Sequence, residues 1–360
     1  MRAPRYGSRS LVELLPSVAS ALRGGGDNPL GLPAASQVVL VVVDGLGQQQ
    51  LLQVAERLPT LGAAVQDSAC IDAAFPTTTP VGVASIAMAM PPARHGLVGA
   101  SFELPDFERV LNPLHWENDP PALAVQPEPN FFSGLSDIVV RSHGPASYAT
   151  SGMTRTLLGS ALQCGYERFD ASVIEAASGR LDYVYLPELD KVGHGEGPLT
   201  GGWIQTLQHI DALVQRILRR LPESALVVLS SDHGMVRVPD DRRLDADHAL
   251  LQAGVRLMAG EPRMRQLYCS EPDVVRERWQ AQLGERATVL LRHEALDRGL
   301  FGEPDIMLID RIGDVIVIAN ENWAFTSKSV DPKPSGLRGM HGALTDDELL
   351  VPLLVMPGVA

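Results

Sequence analysis

The feature that most constrains this chain is an unbroken apolar run, Val38-Val39-Leu40-Val41-Val42-Val43, that stops at Asp44-Gly45. A strand with one wet face alternates apolar and polar side chains. A run without alternation fits a strand buried on both faces, as in a parallel sheet covered by helices. The same grammar returns twice: Leu181–Leu186 reads as a strand leading to Asp190, and Ala225–Ser230 as a second β-branched strand leading to Asp232-His233. Spacing and glycine stops predict helices over Leu11–Leu22, Gln48–Arg57 and Trp203–Leu221. Strand, polar tip, helix, strand is the α/β pattern, and such sheets bind ligands at the carboxyl ends of their strands. The acidic tips therefore stand where a site forms.

After Met235 the texture changes. Short strands are predicted at Val255–Met258, Met264–Tyr268, Ala287–Leu291 and Val315–Ala319, with a helix near Pro272–Leu283, before an apolar strand returns at Leu350–Met356. This predicts a catalytic core from residues 1–236 and 337–360, with a smaller α+β cap inserted over 237–336. Within the cap, Tyr268, Trp323 and Phe325 are candidates for stacking on a base or aromatic leaving group, with core packing as the plainer role.

A net charge of −13 argues against a nucleic-acid surface, which needs clustered Lys and Arg. It leaves a phosphorylated small molecule open, because bound metal reverses a local field. Cys70, Cys164 and Cys269 are too few and odd in number for a disulfide framework. The first ten residues carry three arginines but no apolar core follows, and Glu13 and Pro16 interrupt Leu11–Leu22. Neither a signal peptide nor a membrane span is read there, so a cytoplasmic location is expected.

The polar tips each carry two readings. Asp44 either caps the following helix or, at the end of a buried strand, needs a partner or a cation. Asp190 and His194 are a metal-ligating pair or a turn with an unrelated histidine; Gly193 between them permits a tight backbone path. Asp232-His233-Gly234 can reach one ion from a sharp turn, or is simply a turn, and His341 among glycines signals nothing alone. Thr77-Thr78-Thr79, between Pro76 and Pro80, forms a stiff approach to a helix expected near Val81–Ser85. A hydroxyl at a helix N-terminus is an ordinary cap, or sits where phosphate is favoured. Three Asp, three His and one Thr, all at strand ends or glycine turns, together point to two metal sites. Mixed Asp and His ligands favour zinc, with manganese as the alternative.

Read in order, Val43-Asp44-Gly45, Phe75–Thr79, Pro92–Gly99, Asp190–Pro198, Ser231–Met235 and Met340-His341-Gly342 resemble the motifs of the alkaline phosphatase superfamily, nearest its nucleotide pyrophosphatase/phosphodiesterase branch. The resemblance implies a three-layer α/β/α sandwich with a mostly parallel central sheet and an inserted cap. It implies two divalent metal ions, one held by Asp190, His194 and His341, the other by Asp44, Asp232 and His233 with Thr79 bridging toward it. The implied activity is hydrolysis of phosphodiester or pyrophosphate bonds in a nucleotide-like small molecule, through a covalent phospho-threonine at Thr79. Alternatives are a phosphomonoesterase or phosphonate hydrolase of the same superfamily, or a silent metal- or ligand-binding module. His95 lies in a family-like segment but is not a family ligand, and it is read as structural. The pattern departs at Gly82, where the phosphodiesterase branch usually carries asparagine.

Overall fold

The computed structural model describes residues 2–66, 68–117 and 119–360. Its strands of four residues or more are Gln37–Val43 (β1), Ala69–Asp72 (β2), Val139–Pro145 (β3), Leu162–Tyr166 (β4), Arg180–Leu186 (β5), Leu226–Ser230 (β6), Leu257–Glu261 (β7), Met264–Tyr268 (β8), Ala287–Leu291 (β9), Val315–Ala319 (β10) and Leu350–Pro357 (β11). The helices that matter here are Leu14–Arg23 (α1), Gln48–Val54 (α2), Thr79–Met88 (α3), Glu188–Glu196 (α4), Gly201–Leu218 (α5) and Pro272–Leu283 (α6).

Every residue of β1 is buried, as its β-branched run requires. Alternate side chains enter different cores: Val38, Leu40 and Val42 pack with residues of α1 and α3, and Val39, Val41 and Val43 with residues of α2 and α5. This is a sheet between two helical layers. The sheet has seven strands in the order β2-β11-β6-β1-β5-β3-β4. The run from β6 to β4 is parallel throughout. The returning strand β11 joins antiparallel, between β6 and the edge strand β2. The register sets Val43 beside Leu186 and Val42 beside Ser230. The three central strands thus end level, with their polar tips side by side.

A second, antiparallel sheet follows in the order β7-β8-β10-β9, packed by α6. Its apolar residues belong to the same cluster as those of α1 and α3. Phe325 lies in that cluster at 0% exposure, and Tyr268 is 1% exposed with its hydroxyl donating to the Arg311 carbonyl at 2.7 Å. They are core residues, not stacking platforms. The guanidinium groups of Arg242 and Arg286 lie 5.4 and 5.1 Å from the centroid of the Trp323 ring. All three cysteines are free. Among the described residues, no helix is long and apolar enough to cross a membrane.

Candidate metal centre

Asp44 follows β1 directly, and its N–H still donates to the Leu186 carbonyl at 3.0 Å, continuing the ladder. By strand alternation it takes the face of Val42, the face that packs on α3. The chain then turns sharply at Gly45, φ +75°, where a Cβ would come within 3.0 Å of the Asp190 side chain. Asp232 and His233 follow β6 on a tip tied to this turn: the Leu46 N–H donates to Ser231 Oγ at 2.9 Å.

Asp190 and His194 do not sit on a turn. Both lie on α4, where a spacing of four residues places them on one helical face, 3.2 Å apart. Gly193 is a packing requirement: a Cβ there would meet Met235 Sδ at 2.6 Å. His341 follows Gly339-Met340, a short strand paired with Val236–Arg237. That pairing brings the C-terminal histidine back to the tip of β6.

Helix α3 begins at Thr79, two residues before the expected start. Pro80 occupies its first turn, where a missing N–H costs nothing. Thr78 is the N-cap and makes no side-chain capping bond. The Thr79 hydroxyl turns to the strand tips: it lies 3.1 Å from His233 Nε2 and 3.5 Å from Asp44 Oδ1.

The six Asp and His side chains fall into two groups, Asp190–His194–His341 and Asp44–Asp232–His233, and in each the donor atoms lie within 4.8 Å of one another. The rings of His233 and His341 stack with centroids 3.9 Å apart, which joins the groups. Asp44, Asp232, His233 and His341 are buried, whereas the Asp190 and His194 side chains are 13% and 23% exposed, so the site opens on their side.

Three observations fit divalent cations. First, all three imidazoles face a backbone carbonyl with Nδ1: His194 toward Gly339 at 2.8 Å, His233 toward Gly234 at 3.0 Å and His341 toward Thr77 at 3.0 Å. A carbonyl accepts only, so each Nδ1 carries a proton and Nε2 is the nitrogen of each ring that faces the site, with a lone pair whenever the ring is neutral. Second, the Nε2 atoms of His194 and His341 point at one another across 3.3 Å. Two lone pairs at that distance repel unless a cation or proton lies between them. Third, Asp190 Oδ1 and Asp232 Oδ2 are buried without a hydrogen-bond partner, each facing an imidazole Nε2, at 3.9 and 3.7 Å. Orphaned carboxylate oxygens in a dry site are costly, and a metal ion satisfies them.

Electrostatics agree. Burial, then the charges of Asp232 and Asp190, pushes the Asp44 carboxyl well above its ordinary range. Burial and the Asp190 charge push Asp232 up in the same way. Burial opposes protonation of His194, but the Asp190 carboxylate outweighs it and raises the ring to about 9. Asp190 itself is held low by His194 and His341 despite its burial. Burial and the other two imidazoles push His341 far down. Crowded carboxylates that cannot all ionise in a dry site are what bound cations relieve.

Comparison with known proteins decides the family. The model for type I phosphodiesterase / nucleotide pyrophosphatase matches residues 38–344. The chain belongs to that family. No curated protein matches it by sequence. Murine ectonucleotide pyrophosphatase/phosphodiesterase 5 shares its fold with a TM-score of 0.66 at 16% identity, over 88% of this chain and 87% of that one. An inactive threonine-to-alanine variant of that murine protein, in complex with AMP, matches equally, at 0.66 and 16% over 88% and 87%. The human protein matches with a TM-score of 0.63 at 18% identity over 88% and 87%. The motifs of this phosphodiesterase family run from β1 to the loop before β11, the same span that carries all seven site residues.

Two neighbours of the centre escaped sequence reasoning. The Tyr185 hydroxyl donates to Asp44 Oδ2, leaving Oδ1 toward Thr79. Its only signal is register: Tyr185 pairs with Val42, the residue that shares a face with Asp44. Glu261, at the end of β7, brings Oε2 to 3.3 Å from His341 Nδ1. A lone glutamate before a proline gave no sign of this. His95 lies outside the cluster, completely buried, with Nε2 3.0 Å from Ser85 Oγ. Gly82 admits no side chain, because a Cβ would sit 2.5 Å from the Asp232 carbonyl oxygen.

Proposed function

We propose that this chain is a metal-dependent hydrolase of phosphodiester or pyrophosphate bonds in a nucleotide-like small molecule, with Thr79 as nucleophile and a covalent phospho-threonine intermediate. The observation that carries this reading is the position of one hydroxyl, that of Thr79, 3.1 and 3.5 Å from ligand atoms of the Asp44–Asp232–His233 group, with a second such group stacked against the first. Asp44, Asp232 and His233 would hold one divalent ion, and Asp190, His194 and His341 the other, with zinc favoured by the donor set. Bound, such ions stabilise charge on the attacking and departing oxygens of an in-line displacement.

The chain's own residues do the rest. Tyr185 fixes Asp44 through Oδ2, so that Oδ1 stays directed at Thr79. Pro80 and the buried body of α3 hold the Thr79 hydroxyl in place. Thr79 gives its hydroxyl proton up to solvent, its Oγ attacks phosphorus as the bond to the leaving oxygen breaks, the departing oxygen takes a proton from solvent, and water then cleaves the phospho-threonine, returning a proton to Oγ. The N-terminus of α3 favours the anionic phosphoryl group beside it. Three ligand carboxylates against two dications leave one positive charge before Thr79 ionises, which suits a singly charged diester better than a monoester dianion. AMP bound in the murine relative supports a nucleotide-like substrate.

The test is a panel of phosphodiesters and monoesters with wild type and Thr79→Ala, joined to metal analysis. Thr79→Ala should keep its metals and lose at least about a thousandfold in turnover. Unchanged turnover removes Thr79 from the mechanism, and a strong monoester preference overturns the substrate assignment.

A further inference from the structure

The tip of the β7–β8 hairpin carries a carboxylate that the proposed reaction does not use. Glu261 pairs with Met264 across the ladder, so Pro262 and Arg263 make the turn. This tip is not a solvent-facing loop. Arg263 is fully buried, and its guanidinium donates to both carboxylate oxygens of buried Glu348, at 3.0 and 2.7 Å. Glu348 Oε1 in turn accepts from the Ala343 N–H at 3.0 Å. The hairpin is thereby clamped onto the segment that begins at His341. Beside this clamp, Glu261 Oε2 reaches to 3.3 Å from His341 Nδ1. Gly342 makes the approach possible: its φ is +125°, and a Cβ there would lie 2.9 Å from Glu261 Cδ. Glu261 is 8% exposed, and its other oxygen, Oε1, is buried with no hydrogen-bond partner among the described residues.

We propose that Glu261 is a positioning residue for the Asp190–His194–His341 site: its carboxylate joins the Thr77 carbonyl in holding the proton on His341 Nδ1, which keeps the Nε2 lone pair aimed at His194 and Asp190. The inference rests on the metal-binding reading above. A carboxylate behind a ligating imidazole fixes the ring and its tautomer and makes the ligating nitrogen more basic, and its loss typically costs about 10–100-fold in metal affinity. The other two imidazoles have only neutral carbonyls at Nδ1, Gly339 for His194 and Gly234 for His233. The effect is therefore confined to one of the two sites. It also makes occupancy of that site depend on the seating of the second sheet, which supplies Glu261.

Zinc titration of the metal-depleted full chain against a chromogenic chelator tests this without reference to turnover. Wild type should bind two zinc ions. Glu261→Gln, close in shape but uncharged, should keep one site unchanged and weaken the other about 10–100-fold. His341→Ala should weaken that same site, and adding Glu261→Gln to it should cost nothing further, because the carboxylate acts through the imidazole. Thermal unfolding of the metal-free forms checks that each variant folds; should Glu261→Gln fail, Glu261→Asp, one methylene short of Nδ1, takes its place with the same selective weakening. Two unchanged sites in the variant, equal weakening of both, or a full Glu261→Gln effect in the His341→Ala background overturns the inference while the metal reading stands. A wild type that binds no divalent metal overturns both.

Discussion

His95 is an imidazole that the fold keeps neutral. The Leu97 N–H donates to its Nδ1 at 3.2 Å, so the ring proton sits on Nε2 and donates to Ser85 Oγ, tying the body of α3 to the segment after it. Burial pushes its pKa down to about 3. A group whose folded pKa lies below its unfolded value of about 6.5 gives its full stabilisation above that pH and loses it as the pH falls toward the folded value. Each pH unit inside the window costs up to about 1.4 kcal/mol. Between pH 7 and pH 5 in chelator, wild type should therefore lose on the order of 2 kcal/mol more unfolding free energy than His95→Gln. Parallel pH profiles for the two proteins in denaturant titrations would show that the ring is not the titrating group.

At the scale of elements, α3 packs tightly against the tip of β6. A Cβ on Gly82 would lie 2.5 Å from the Asp232 carbonyl oxygen and 2.8 Å from Asp232 Cβ, and neither can step aside without moving a ligand or the helix. Gly82→Ala should cost about 1–3 kcal/mol, as overpacking does. It should also lower turnover of a chromogenic diester more than that stability loss explains, because Thr79 starts the same helix. Gly134→Ala, where a Cβ meets nothing within 4 Å, is the control and should leave both the melting temperature and turnover unchanged. The elements differ in how readable they were. β1 and β6 were legible because burial on both faces leaves a continuous apolar run, β5 was legible despite Asp182 from its β-branched and aromatic residues, and their polar ends marked the tips. The helix carrying Asp190 and His194 was not, because Gly193 and Gly195 oppose helix formation locally, and the need for Gly193 comes from Met235, far along the chain. The start of α3 was missed by two residues because Pro80 reads as a break before a helix and is also at home in a first turn. Tyr185 and Glu261 were invisible, since one depends on strand register and the other on how a distant hairpin seats. Chemistry at the ends of central strands is written locally, while the contacts that tune it are written in long-range pairing.

Across the whole molecule, the centre concentrates buried charge that the fold alone does not neutralise. Three carboxylates and three imidazoles from β1, β6, α4 and the loop before β11 meet here, so cations bound among them would tie the two ends of the chain together. A ligand that binds only the folded form adds about 2.7 kcal/mol per site at a free concentration of one hundred times its dissociation constant. Removing metal with chelator should therefore lower the melting temperature by several degrees. The size of the drop should depend on pH, with a sign fixed by the ligands. In the metal-free fold Asp44, Asp232 and His194 hold protons above their ordinary ranges, His194 to about 9. Metal must displace those protons, so binding tightens as the pH rises. The neutral His95 is present with and without metal, so its own pH dependence cancels in the difference. The gap in melting temperature between zinc-loaded and chelated protein should widen from pH 5 to pH 8, and the gap of the Asp44→Asn, Asp232→Asn double variant should widen less steeply, keeping only the slope that the His194 proton gives. A gap that is constant or narrows over that range would mean that the protons leaving on metal binding do not come from these side chains.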